Sequence, residues 1–217
     1  MPSSASAKPG IFQLTAQEIV HEFALCETLS GEVLAAGIAA GIPWAEIAKR
    51  VEVSVELGPD RDPGVGGRAF HGPRLARVVF LDGGLFEFAE AVGEASEGVG
   101  AMILLAMGEG GDEVDLVAWS AKRQCTATWL GRAAVLGAEN LHRYQPFEAP
   151  IVVHFRVEAW LRGVGRGVLV LDEARAGETL RRCARLAVDD LADLDRLERM
   201  LRPRMPNVVV RKDGKPP

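Results

Sequence analysis

The residues in this sequence whose types and spacing come nearest to chemistry are carboxylates. Asp112 and Asp115 flank the start of the apolar run Leu116 to Trp119, and two acids on one turn and strand can offer oxygen ligands to a hard divalent cation. A second set begins at Gly167 to Leu171, a buried-strand pattern that delivers Asp172 and Glu173 at its carboxyl end, where open α/β sheets hold ligands. Asp189 stands beside them if Arg185 to Val188 forms a neighbouring strand. Either set, Asp112 with Asp115 or Asp172 and Glu173 with Asp189, is a candidate Mg²⁺ site at which the metal would polarise a phosphodiester.

Both sets carry a family likeness. The segment GDEVDLVAWSAKRQCTATWLG, residues 111 to 131, resembles the central hairpin of the PD-(D/E)xK nuclease superfamily, which implies an acid on one strand and Glu-x-Lys on the next. Asp115 occupies the place of the acid. The second strand, Thr126 to Leu130, supplies neither carboxylate nor lysine, so half of the metal site is missing and a structural hairpin is favoured. The segment GVLVLDEARAG, residues 167 to 177, resembles the Toprim fold of primases and topoisomerases, whose strand-end acids bind Mg²⁺ for phosphoryl transfer. Here the earlier strand ends in Leu81-Asp82-Gly83 without the expected Glu, and Asp172-Glu173-Ala174 replaces Asp-x-Asp. A helix-capping role for Asp172 is favoured.

The remaining reactive residues form no constellation. His21, His71, His142 and His154 show neither HxH nor HExxH spacing and read as structural or surface residues. The glycine-rich stretches at 108 to 111 and 163 to 167 lack the arrangement that cradles phosphate, and read as turns. Cys26, Cys125 and Cys183 are odd in number and far apart, which excludes a disulfide framework and a CxxC zinc knuckle and fits a reducing cytoplasm. Residues 41 to 54, GIPWAEIAKRVEVS, have the first helix and elbow of a helix-turn-helix. The base-reading helix is absent, because VEVSVEL alternates at period two and Pro59 follows closely.

Charge narrows the partners. The formal charge is −5, and nucleic-acid affinity comes mostly from excess Lys and Arg, so a general phosphate-backbone binder is disfavoured. Residues 78 to 121 hold Asp82, Glu87, Glu90, Glu94, Glu97, Glu109, Asp112, Glu113 and Asp115 with no Lys, Arg or His. A solvated face is the simplest reading, and a basic protein partner, self-association of opposite faces or a cation site are the functional ones. No apolar run approaches the roughly 20 residues needed to cross a bilayer, and the first residues lack a signal-peptide core.

The elements that must position these groups follow from period and punctuation. Thr15-Ala-Gln-Glu18 has capping-box spacing and predicts a helix over 16 to 28; further helices are expected from 32 to 40 and from Pro43. Val51, Val53, Val55 and Leu57 predict a half-buried strand. Residues 58 to 75, rich in Gly and Pro, form the expected loop between an N-terminal segment at 15 to 57 and a mixed α/β domain at 76 to 210, with tails at 1 to 14 and 211 to 217. Within that domain the pattern predicts a strand at 78 to 81, a short helix at 85 to 92, a strand at 101 to 107, and a hairpin of 114 to 119 with 125 to 130. Trp119 and Trp129 are expected buried together across that hairpin. A helix at 155 to 161, a strand at 167 to 171, a helix at 190 to 201 and a strand at 208 to 210 complete the list. The fold class expected is α/β, a mixed sheet with a central antiparallel hairpin.

The order Asp115-Leu-Val-Ala-Trp119, Ala127-Thr-Trp-Leu-Gly131, Ala134-Val-Leu-Gly137 and Ala159-Trp-Leu-Arg-Gly163 resembles a set of uncharacterised bacterial proteins associated with prophage-like regions. That resemblance implies no activity. Without a complete catalytic set, the function expected is a non-enzymatic cytoplasmic binding or accessory protein without a cofactor, and the alternative is the Mg²⁺-dependent phosphodiester enzyme.

Overall fold

A computed structural model describes residues 14–56, 71–92, 98–141 and 150–202. Its first helix, α1 (Ala16–Leu25), starts on the expected capping box: Thr15 Oγ1 accepts from the Glu18 N–H, and the Glu18 carboxylate accepts from the Thr15 N–H at 2.7 Å. A two-residue strand, β1 (Glu27–Thr28), leads to α2 (Gly31–Ala39), which ends where Gly41 takes a left-handed φ of 73°. Next comes α3 (Trp44–Glu56), bent 113° from α2. The strand expected at 51 to 57 is not formed, because the helix runs through to Glu56. Once nucleated behind Pro43 a helix gains a hydrogen bond for each added residue, and Trp44, Ile47 and Val51 fall on one core-facing stripe. Among the described residues, no single helix is long and apolar enough to cross a membrane.

A six-stranded antiparallel sheet follows, ordered β1, β2 (Arg74–Phe80), β4 (Val99–Met107), β5 (Glu113–Ser120), β6 (Cys125–Thr128), with β3 (Phe86–Phe88) also paired to β2. The helix expected over 85 to 92 is instead β3 followed by the single turn α4 (Ala89–Val92). Gly83 and Gly84, both at positive φ, reverse the chain so that Phe86 pairs with Phe80 and Phe88 with Val78. The apolar run of β4 is buried on both faces: Met102, Leu104 and Ala106 point into one core, Ala101, Ile103, Leu105 and Met107 into the other. α1 closes the second core with Ile19 and Phe23. The tryptophans do not meet as expected. Trp119, opposite Thr126, enters the first core, while Trp129 lies on the other face, packs edge-on to Phe88 and donates to Glu87 Oε1 at 3.2 Å.

The second sheet is mixed and small, ordered β10 (Leu186–Ala187), β8 (Ile151–His154), β9 (Val168–Val170), β7 (Val135–Leu136). β10, β8 and β9 are parallel, and β7 is antiparallel to β9. A crossover helix, α5 (Val157–Arg162), joins β8 to β9 and packs Trp160 and Leu161 into the core shared with the large sheet, α2 and α3. The opposite face of the small sheet is covered by α6 (Glu173–Leu180) and α7 (Leu191–Leu201). The chain is therefore α/β. The strand expected at 208 to 210, residues 1 to 13 of the expected N-terminal tail, the C-terminal tail and most of the Gly/Pro-rich loop lie outside the described residues.

Candidate functional site

The structure does not bring the sequence-predicted carboxylates together as sites. Asp112 is exposed in the turn between β4 and β5, while Asp115 is fully buried three residues later. Both Asp115 oxygens are occupied: Oδ1 accepts from the N–H groups of Leu116 and Leu130 at 2.9 and 2.8 Å, and Oδ2 from those of Arg132 and Ala133 at 2.7 and 3.1 Å. That carboxylate organises the loop after β6. Asp172 caps α6, accepting from the Ala174 N–H at 2.9 Å, and receives Arg175 Nε at 2.7 Å. The Arg175 hydrogen bond holds the Asp172 carboxyl below the usual range against the opposing effect of burial. Glu173 pairs with Arg196 at 2.7 Å. Asp189 follows β10, with β8 between it and the end of β9 that carries Asp172. Among the described residues no three His, Cys, Asp or Glu side chains converge as metal ligands.

Asp115 and Asp172 nonetheless approach the same loop from opposite sides. Arg175, fixed by Asp172, donates to the carbonyls of Gly131 at 2.8 Å, Arg132 at 3.2 Å and Ala133 at 3.4 Å. A cleft of about 560 Å³ opens there between the sheets. Its charged groups are already committed to one another and to the backbone, which leaves it little to offer a ligand.

The acids of residues 78 to 121 are also dispersed. Asp82, Glu87 and Glu90 lie where β2 ends, whereas Glu109, Asp112 and Glu113 lie at the β4–β5 turn, the opposite end of the antiparallel sheet. Glu109 pairs with Arg182, and Asp115 is internal. Glu94 and Glu97 lie outside the described residues.

A different cleft, of about 580 Å³, gathers unused charge. It lies on the α5 face of the small sheet, floored by Val152 and His154, which alternate with the core-facing Ile151 and Val153 along β8. Arg162 at the end of α5 and Arg166 in the following loop form one wall, and Asp189 after β10 forms the other. Neither guanidinium makes an ion pair among the described residues. The intervening loop is fixed by backbone conformation and by hydrogen bonds. Val164 has φ 56°, a left-handed conformation that costs a β-branched residue about 1–3 kcal/mol, and Gly165 and Gly167 have φ 67° and 70°. The strain is held from two sides, by Arg50 of α3 donating to the Val164 carbonyl and by Asn140 Nδ2 donating to the Gly167 carbonyl at 2.7 Å. Loop N–H groups bond within the segment, Val164 to Leu161, Gly165 to Trp160 and Arg166 to Gly163. An anion here is therefore met by side chains rather than by a backbone cradle.

His154 is 6% exposed, and burial lowers its pKa, opposed by Asp189 and the Arg166 backbone. The imidazole is thus the neutral floor of the cleft. The native state binds fewer protons at His154 than the unfolded chain, whose imidazole titrates near about 6.5. Its contribution to stability is complete above that pH and is lost as pH falls through the lower native value. His71, also lowered by burial, adds a slope of the same sign. Denaturant unfolding followed from pH 8 to pH 5 should show stability falling with acidification, and His154→Gln should flatten part of that fall; an unchanged slope would mean that His154 titrates as if unfolded.

Sequence reasoning passed over His154, Arg162 and Arg166. The available signal was the pair of arginines four residues apart around Gly-Val-Gly, following a strand that ends in histidine. No protein-family model, curated protein or solved structure matches this chain.

Proposed function

We propose that this chain is a non-enzymatic cytoplasmic binding protein whose ligand is a small anionic molecule held between Arg162 and Arg166 over His154. The observation that carries the reading is the pair of guanidiniums, without a carboxylate partner among the described residues, on the wall of an open cleft. On a chain of charge −5, two such groups beside a neutral, buried imidazole make a local positive site, and guanidinium forks match phosphate or carboxylate oxygens. Binding rather than catalysis is favoured because, among the described residues, no Ser, Thr, Cys or Lys lines the cleft to serve as a nucleophile beside His154. The odd number and wide spacing of Cys26, Cys125 and Cys183 support a reducing compartment. The resemblance to prophage-associated proteins would make the role accessory to a mobile element.

Thermal unfolding in methyl phosphate tests the reading, since a ligand that binds only the native state stabilises it by mass action. Millimolar methyl phosphate should raise Tm in the wild type and in Arg181→Ala/Arg199→Ala, a change of equal charge elsewhere on the surface. The rise should vanish in Arg162→Ala/Arg166→Ala. A wild-type Tm insensitive to methyl phosphate, or a rise retained by the cleft double mutant, would remove the proposal.

A further inference from the structure

Away from its charged groups the cleft is lined by apolar surface. Val152 packs into none of the three apolar cores formed by the described residues and presents its methyl groups to the cleft instead. On α5, Ala159 stands three residues before Arg162 and four before Gly163, so one stripe of the helix offers the cleft a methyl group, a guanidinium and a residue without a side chain. The backbone does not require glycine at 163, where φ is −73°. A Cβ there would stand 3.7 Å from His154 Nε2, so its absence leaves room beside the imidazole. Among the described residues no side-chain hydroxyl or amide lines the cleft, and the N–H groups of Val164, Gly165 and Arg166 are already given to carbonyls.

We infer that the ligand is an organic anion charged at one end only: its phosphate or carboxylate lies between Arg162 and Arg166, and an uncharged apolar body, the size of an aromatic ring, covers Val152 and Ala159. This rests on the anion-binding reading and adds the chemistry of the rest of the molecule. The cleft of about 580 Å³ falls within the roughly 300–1,000 Å³ of sites that take whole small organic molecules, a space that a bare oxyanion does not fill. A polyhydroxylated body would give up water for a surface with few groups to replace it, whereas an apolar body gains by leaving water. A second anionic group is disfavoured by Asp189 on the wall opposite the arginines, 3.4 Å from His154 Nδ1.

Calorimetric titration of the full chain with phenyl phosphate, methyl phosphate and glycerol 3-phosphate separates the body from the charged end. Phenyl phosphate should bind about tenfold more tightly than methyl phosphate, and glycerol 3-phosphate no more tightly than methyl phosphate. Val152→Thr/Ala159→Ser, which adds hydroxyls to the apolar surface with little change of shape, should bring the phenyl and methyl phosphate affinities to within about twofold of each other. Equal binding of phenyl and methyl phosphate by the wild type, a preference for glycerol 3-phosphate, or a phenyl preference that survives in the double variant would overturn the apolar-body inference and leave the anion site standing. Binding of none of the three probes would overturn both. The comparison of probes on the wild type decides the matter even where the double variant does not fold.

Discussion

Asp115→Ala should destabilise the protein by about 4 kcal/mol, because four backbone N–H groups lose their acceptor in a fully buried place. Each orphaned donor costs about 1–3 kcal/mol, and relaxation of the loop toward solvent recovers part of the sum. Asp115→Asn should be little better, since its amide turns an N–H pair toward donors where a carboxylate oxygen stood. Urea denaturation checks this through the midpoint, with the slope unchanged. A loss below about 1 kcal/mol in both variants would mean that the loop amides find water readily and that Asp115 is not what fixes residues 130 to 133.

Gly167→Ala should be comparably severe, at about 4 kcal/mol or more, and for a separable reason. The residue sits at φ 70°, and a Cβ there would lie 2.2 Å from the Val152 carbonyl oxygen, a backbone atom that cannot yield without parting β8 from β9. Gly83→Ala is the control: its φ is 77°, yet nothing lies within 4 Å of the added carbon, so only the left-handed backbone cost of about 1–2 kcal/mol applies. The difference between the two variants in denaturant unfolding measures the close approach of the loop to the floor of the arginine cleft. Equal losses would show that this approach is not tight.

Local rules made much of the fold legible. The Thr15 capping box, Asp172 ahead of α6 and the double-sided apolar run of β4 all act within a few residues, where periodicity and capping operate. Residues 51 to 56 were misread because alternating valines suit a strand only when no helix is already propagating from upstream; Val51 sits four residues after Ile47, on the same helical face. Trp129 was misplaced by parity: Trp119 is paired with Thr126, so Trp129, three residues further along, falls with Ala127 on the opposite face. The candidate cleft was the least legible part. His154, Arg162, Arg166 and Asp189 come from a strand end, a helix end, a loop and the segment after a neighbouring strand, and nothing in a linear pattern announces that chain folding makes them neighbours. The acids that did form suggestive pairs were in turn committed by the fold, Asp115 to four amides and Asp172 to a cap and Arg175.

The loop after β6 has a consequence for how the molecule comes apart. Its N–H groups belong to Asp115 of the large sheet, and its carbonyls belong to Arg175, carried by the helix that covers the small one. A segment tied on its two polar edges to different sheets couples them, and the core that Trp160, Leu161 and Leu169 share with the large sheet couples them again. The small sheet should therefore open together with the large one rather than fray alone, and amide exchange in β8 and β9 at the same free energy as in β4 would show it.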